Sequence, residues 1–327
     1  MLILTLWVLV IVTIAAGYFS ERVALSVNLA QLSRQNTRAI IDMAGARAEL
    51  LYRLGTTTIT EYGLGRGKTT LYLDNRTYHG LGDTLIQVQD TRGLLNLNLT
   101  EDDRLQRFLG LLGIPAEQRG PMIDTLRDYI DADKLHRLNG AEDEEYRALN
   151  LPPPANRDLL TPWEAKRIIG WRNVPQLWQK DRLIELSTTS LSLGINPNTA
   201  PAEVLATLPG VTEEIAKIII AQRKQTPFTH EGQIIQITSV PLNFSIGAGI
   251  IVIPSDTVRI TQSSPGLPWA LQYAIKLTPN NTDAPWHIDY YNRVSINPSV
   301  STNTEALELP PRSTVAPDKI PSFLLPN

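Results

Sequence analysis

The 327 residues contain no cysteine. That excludes disulfides and thiolate metal sites, and it permits an oxidising compartment without demanding one. Charge is missing from Met1 to Ser20 (MLILTLWVLVIVTIAAGYFS), and no basic leader stands ahead of this run. The four histidines, His79, His136, His230 and His287, are widely separated, and no H-E-x-x-H or G-x-S-x-G stretch is present. Zinc-peptidase and nucleophile-elbow chemistry are thereby excluded. A phosphate loop is also missing: Gly63-Leu64-Gly65-Arg66-Gly67-Lys68-Thr69 has Tyr62 where the first glycine belongs, so it reads as a turn. Nor is there a basic excess. The net charge of −3 gives no global field to draw nucleic acid or an anionic surface. Nothing here points to an enzyme.

What is present begins with Met1 to Ser20 itself, an apolar run of the length a helix needs to cross a bilayer. A cleaved signal peptide is the competing reading, since Ala15, Ala16 and Gly17 imitate a cleavage site. Against it, the helical pattern continues. Leu25, Leu29, Leu32, Ile40, Met43, Leu50 and Leu54 recur at helical spacing, with Ile41, Ala44, Ala48 and Leu51 beside them, and Gly55 closes the run. The spacing predicts one rod of about 80 Å, whose first part lies in lipid and whose end, through Leu50, Leu51 and Leu54, packs on a soluble sheet.

Beyond the rod the signals are β. Thr69 to Leu73 and Thr84 to Gln89 read as short strands joined through Asn75, Gly80 and Gly82. Short helices are predicted over residues 104–112, 122–130, 162–169, 174–183, 202–208 and 213–224. Strand signals return at 250–253, 257–262, 270–277 and 287–294. From Asn297 the tail is rich in proline and reads as flexible. A helical block bracketed by strands predicts an insertion into an α+β domain, because the two strand groups need each other to form a stable sheet.

Within that block, Ile195 to Arg223 carries a helix-hairpin-helix signature. A helix through Leu208 turns at Pro209-Gly210-Val211, and Thr212 caps the return helix with Glu213 and Glu214 in its first turn. Leu112-Gly113-Ile114-Pro115-Ala116-Glu117 is a weaker copy. One use of such a hairpin is phosphate binding by turn amides, as in a membrane-anchored competence receptor. The flanking acids Glu203, Glu213 and Glu214 argue against nucleic acid and for a structural hairpin.

A second constellation is acidic: Asp128, Asp131, Asp133, Glu142, Asp143, Glu144 and Glu145 share the stretch DYIDADKLHRLNGAEDEEY. Asp131-Ala132-Asp133 has the alternate-residue spacing that hard cations favour, but the twelve-residue calcium-loop pattern is absent. By composition alone a solvated acidic surface is the simpler reading.

Taken together, the uncharged start with its long helix, DTRGLLNLN from Asp90, DYIDAD…NGAEDEEY and INPNTAPAEVLATLPGV resemble the minor pseudopilin GspK family, type II secretion system protein K. The resemblance runs to about residue 295. It implies an α+β, pilin-like fold: a long N-terminal helix on an antiparallel sheet, with a large inserted all-α domain containing helix-hairpin-helix-like (SAM-like) units. The implied segments are 1–20 in the membrane, 21–94 for the rest of the helix and first strands, 95–255 for the insertion, 256–295 for the returning strands and 296–327 for the tail. It further implies a subunit at the tip of a periplasmic filament, initiating or capping it in protein export across the outer membrane, and anchored in the inner membrane by a single pass. The implied partners are the I and J minor pseudopilins, the major pseudopilin and secreted cargo. Calcium is implied at Asp131, Asp133, Glu142 and Asp143, and helix-to-helix assembly at Leu25, Leu29, Leu32 and Ile40. Pilin-like precursors lose a short basic leader after a glycine, so Met1 reads as a processed or trimmed start. The fifth-position glutamate of most pilins is absent, the first acid being Glu21. Protein K typically departs in this way, which suits a tip subunit.

Overall fold

The computed structural model describes residues 1–238, 249–279, 281–296 and 306–311. A single helix, α1 (Leu2–Thr56), opens the chain and ends where Thr57 turns extended, its N–H donating to the Arg53 carbonyl. It is long and apolar enough to cross a membrane. Side chains along it stay exposed until Ala39, after which Ala39, Met43, Ala46, Leu50 and Leu54 form the buried stripe at steps of four, three, four and four. Small residues at Ala39 and Ala46 let the backbone approach the sheet. Leu50 and Leu54 pack as the pattern predicts, and Leu51 is only partly buried at the edge of that core.

After α1 come a two-stranded pair, β1 (Ile59–Thr60) with β2 (Gly63–Leu64), then β3 (Asp74–His79), β4 (Leu85–Asp90) and β5 (Leu95–Asn96). The helices α2 (Asp102–Leu111), α3 (Ala116–Ile130) and α4 (Asp143–Ala148) follow. Next are a 3-10 segment at Pro162–Arg167, α5 (Pro175–Trp178), α6 (Arg182–Leu186) and β6 (Ser187–Thr188), which pairs in parallel with β5. Then come α7 (Ala202–Leu205), α8 (Glu213–Gln225) and α9 (Gly232–Thr238). The chain returns as β7 (Thr257–Ser263), β8 (Trp269–Leu277), β9 (Trp286–Ser295) and β10 (Leu307–Glu308).

The main sheet has six strands in the order β10-β3-β4-β7-β8-β9. All its pairings are antiparallel except that of β10 with β3. Strand alternation splits the sheet by chemistry. Ile86, Val88, Val258, Ile260, Tyr273 and Ile275 face α1 and form one core with it. The opposite face carries Gln87, Gln89, Arg259, Thr261 and Gln272. Against this polar face lies the helical block, which has a separate core around Phe108, Tyr146, Trp171, Leu177 and Leu205. Since β4 and β7 are neighbours paired from Leu85↔Ser263 to Asp90↔Val258, the whole block leaves and re-enters the sheet at one point.

Several expectations change. The first strand of the main sheet is Asp74–His79, not Thr69 to Leu73: Leu71 and Leu73 are buried, but Leu71 makes only an isolated bridge with Leu64. The helix expected from Met122 begins at Ala116, with Pro121 inside it. Ile250 to Ile253 forms a single bridge, Ile195↔Ile250, instead of a strand. The block is not wholly helical, because the β5–β6 pair lies within it. The flexible tail over 296–327 lies mostly outside the described residues, yet Leu307–Glu308 is a strand on the β3 edge.

Candidate functional site

The acidic stretch occupies the end of α3, the following loop and the start of α4. Helix α3 delivers Asp128 two residues before its end, where the side chain is fully buried. Asp128 Oδ2 accepts the Arg137 N–H at 3.2 Å, and the Arg137 Nε lies 3.7 Å from Oδ1. Gly140 is required beside it, since a Cβ there would fall 1.8 Å from Asp128 Oδ2. One turn earlier, Asp124 Oδ2 accepts from the backbone N–H and side-chain amide of Asn139, both at 3.1 Å, which pins the loop to the helix.

The four acids expected to act together separate into two pairs. Asp131 and Glu142 turn inward: Asp131 Oδ1 and both carboxylate oxygens of Glu142 are buried without a hydrogen-bond partner. Desolvation first, then repulsion from Asp133 and Asp128, raises the Asp131 pKa above the ordinary value. Glu142 is raised by desolvation and then by Asp128, Asp131 and Asp143. By contrast, Asp133 accepts from the Leu135 N–H at 2.8 Å, and Asp143 pairs with Lys134 Nζ at 3.2 Å. Glu145 accepts from the Glu142 N–H at 2.9 Å, the chief reason its pKa is lowered. Among the described residues, no group of three or more His, Asp or Glu side chains is arranged to hold a metal ion. What the structure contains is a negative cluster with four buried oxygens that lack a hydrogen bond, one each on Asp128 and Asp131 and two on Glu142.

The hairpin is compact. Gly210 sits at φ 73°, a left-handed conformation in which an L side chain is strained, and Val211 buries behind it. Thr212 Oγ1 accepts from the Ile215 N–H at 3.3 Å and caps α8. Arg223 turns inward, donating to the carbonyls of Pro197 and Ala200 at 2.8 and 2.5 Å, and burial lowers its pKa to about 10. That removes one cation from any surface role. On α1, Leu25, Leu29, Leu32 and Ile40 are 54, 58, 54 and 49% exposed among the described residues.

A junction that sequence reasoning did not single out holds the block to the sheet. Asp90, fully buried at the end of β4, accepts from Asn196 Nδ2 and Thr199 Oγ1, each at 2.9 Å, and from the Ser255 and Arg92 N–H groups at 2.9 and 3.0 Å. Asn198 Nδ2 donates to the carbonyls of Phe228 and Val252 at 2.9 and 3.0 Å, and its Oδ1 accepts the Phe228 N–H at 2.8 Å. The signal was in the text: Asn-Pro-Asn-Thr puts three short polar side chains where backbone groups need partners.

Residues 85–177 match a model of type II secretion system protein K, and residues 195–240 match a second model of the same description. Both matched stretches are thus similar to protein K of the type II secretion system. The first protein K match opens at β4 and contains the acidic cluster; the second contains the hairpin. A putative type II secretion system protein K of Escherichia coli strain K12 is 31% identical over 159 residues, 42% of this chain and 47% of that protein. The type II secretion system protein K of Dickeya chrysanthemi is 23% identical over 155 residues, 46% of this chain and 43% of that protein. The chain thus spans about half the length of the curated protein K relatives it matches. A crystal structure of the GspK-GspI-GspJ complex from the type 2 secretion system of enterotoxigenic Escherichia coli contains a chain of the same fold. Its TM-score is 0.56 at 15% identity, covering 83% of this chain and 99% of that one.

Proposed function

We propose that this chain is a non-enzymatic minor pseudopilin, the tip subunit that initiates or caps a type II secretion pseudopilus. The observation that carries the reading is an exposed apolar rod, α1, joined to a helix-on-sheet unit in a chain similar to protein K. Residues 1–20 anchor the subunit by a single pass in the inner membrane, leaving the rest in the periplasm. Leu25, Leu29, Leu32 and Ile40 then pack on the rods of partner subunits, exchanging exposed apolar surface for helix contacts. The partners are I and J minor pseudopilins, a reading supported by the related GspK chain crystallised with GspI and GspJ, and then the major pseudopilin. Residues 95–255 form an inserted domain whose hairpin is a packing unit, and its bulk blocks further addition or meets secreted cargo. Co-expression of the full chain with the I and J subunits of its own genome tests this. A stable ternary complex is expected, and failure to form one sinks the tip assignment.

The same reading assigns calcium to the acidic cluster. Buried, mutually repelling carboxylate oxygens without a hydrogen bond are the ligand type that a hard cation takes. Asp128, Asp131 and Glu142 would hold it, with Asp133 and Asp143 at the rim. The ion would supply the missing positive charge and tie the end of α3 to the start of α4. At a hundredfold excess over Kd, bound calcium adds about 2.7 kcal/mol of stability. Melting the chain in calcium and in chelator checks this, and an unchanged Tm counts against the site.

A further inference from the structure

The two edges of the main sheet are treated differently. On one, β10 covers β3. On the other, β9 is the last strand, and among the described residues no backbone hydrogen bond is made from its outer side. An open edge of ten residues is a template for another strand. Beside it, between α1 and the β8–β9 ribbon, lies a groove of about 230 Å³ lined by Ile40, Ala44, Trp269 and Tyr291.

Two cations frame this apolar groove. Arg293 stacks on Trp269, its Cζ 4.3 Å from the ring centroid, and Arg47 lies 5.8 Å from that of Tyr291. Neither forms an ion pair among the described residues. Their neighbourhood explains why. On α1 the positions one turn from Arg47 are Met43, Ala44, Leu50 and Leu51, and the residues sharing the Arg293 face are Leu271, Tyr291 and Ser295. Among the described residues no carboxylate forms an ion pair with either charge. A guanidinium stacked by its face still presents its N–H donors edge-on, in the plane where a carboxylate is bound bidentately.

We propose that the β9 edge and this groove together take an extended, acidic segment of a partner polypeptide, added as a further strand. Backbone bonds to β9 supply the pairing, and one acidic side chain reaches in between Arg47 and Arg293. The inference deepens the assembly reading and rests on it only in taking the partner to be a polypeptide.

The test uses the full chain in detergent micelles and two synthetic nine-residue peptides with a neutral dye, alternating Thr and Val with either Glu or Lys at the charged positions. Fluorescence anisotropy is expected to show the Glu peptide binding at least tenfold more tightly than the Lys peptide. The double variant Arg47→Glu/Arg293→Glu is expected to reverse that preference while keeping the parent's melting curve, and methylating alternate backbone amides of the Glu peptide is expected to abolish binding. Equal binding of the two peptides overturns the proposal, as does binding that survives amide methylation. A chain already dimeric by light scattering, and made monomeric by the double variant, overturns it in favour of a second copy. A chain that binds the Glu peptide but forms no complex with the I and J subunits refutes the assembly reading and leaves this one standing.

Discussion

Glu142 faces the Glu145 N–H from the N-cap of α4, yet both its buried oxygens, like Asp131 Oδ1, fall short of a hydrogen bond. For an acid, a folded pKa above the ordinary value means that the native state holds the extra proton in the interval between the two. Stability from these groups is therefore fully present below their ordinary values of 3.8 and 4.5 and is lost as pH rises through the raised folded values. At neutral pH, without a cation, both are a liability. Glu142→Gln removes one charge and keeps the shape, so in chelator at neutral pH its Tm is expected to exceed the parent's by a few degrees. The gap should close as pH falls through the carboxylate range, and the variant should lose the parent's gain in calcium. Calorimetry with and without calcium across pH measures all three. Asp90 is the opposite case, a buried carboxylate with four donors. Asp90→Ala strands those donors and is expected to cost about 3 to 5 kcal/mol by chemical denaturation. Sequence gave no means of ranking these two acids, because rank depends on which donors the fold brings to each.

At the scale of elements, what was legible was whatever the chain decides locally. The α1 rod, the β7 to β9 strands and the Pro-Gly hairpin all follow from periodicity and turn chemistry. The misplaced first strand shows the limit. Thr69 to Leu73 alternates like a strand, yet the ladder partner is β4, and β4 pairs with Asp74–His79 through an irregularity at Asn75, which sits at φ 65°. Pairing is a tertiary decision that local propensity does not encode. Helix α3 departs the other way: its spacing predicts a start at Met122, yet it begins at Ala116 and accepts Pro121 five residues in, where the proline forgoes one backbone bond. The buried stripe of α1 likewise runs through Ala39, Met43 and Ala46, not Ile40, because the sheet meets the helix on the face that those three share. Two glycines separate these effects by experiment. Gly210→Ala puts a Cβ on a left-handed residue and is expected to cost about 1 to 2 kcal/mol. Gly120→Ala, in α3 with open space around its Cβ position, is expected to stabilise by about 0.5 to 1 kcal/mol. Urea titrations of both check the contrast.

For the whole molecule, the decisive geometry is that the helical block departs after β4 and returns before β7, two strands already bonded to each other. The sheet face it covers is polar, and the block's apolar core shares no buried residue with the core between α1 and the sheet. Removing it therefore uncovers Gln89, Arg259 and Gln272, which water can solvate, and leaves the apolar face under α1. The local cost is the loss of the partners of Asp90, which would then lie at an exposed turn. Because Asp90 pairs with Val258, Thr91 and Thr257 stand where a two-residue turn can close the ribbon. Replacing residues 92–256 with Asn-Gly is expected to yield a folded helix-on-sheet protein in detergent. It should have a sheet-rich circular dichroism spectrum, a single cooperative melt and no response to calcium. If the excised chain aggregates or melts without a transition, the block is part of one cooperative fold. The apolar rod would then be presented by the molecule as a whole, and not by the helix-on-sheet unit alone.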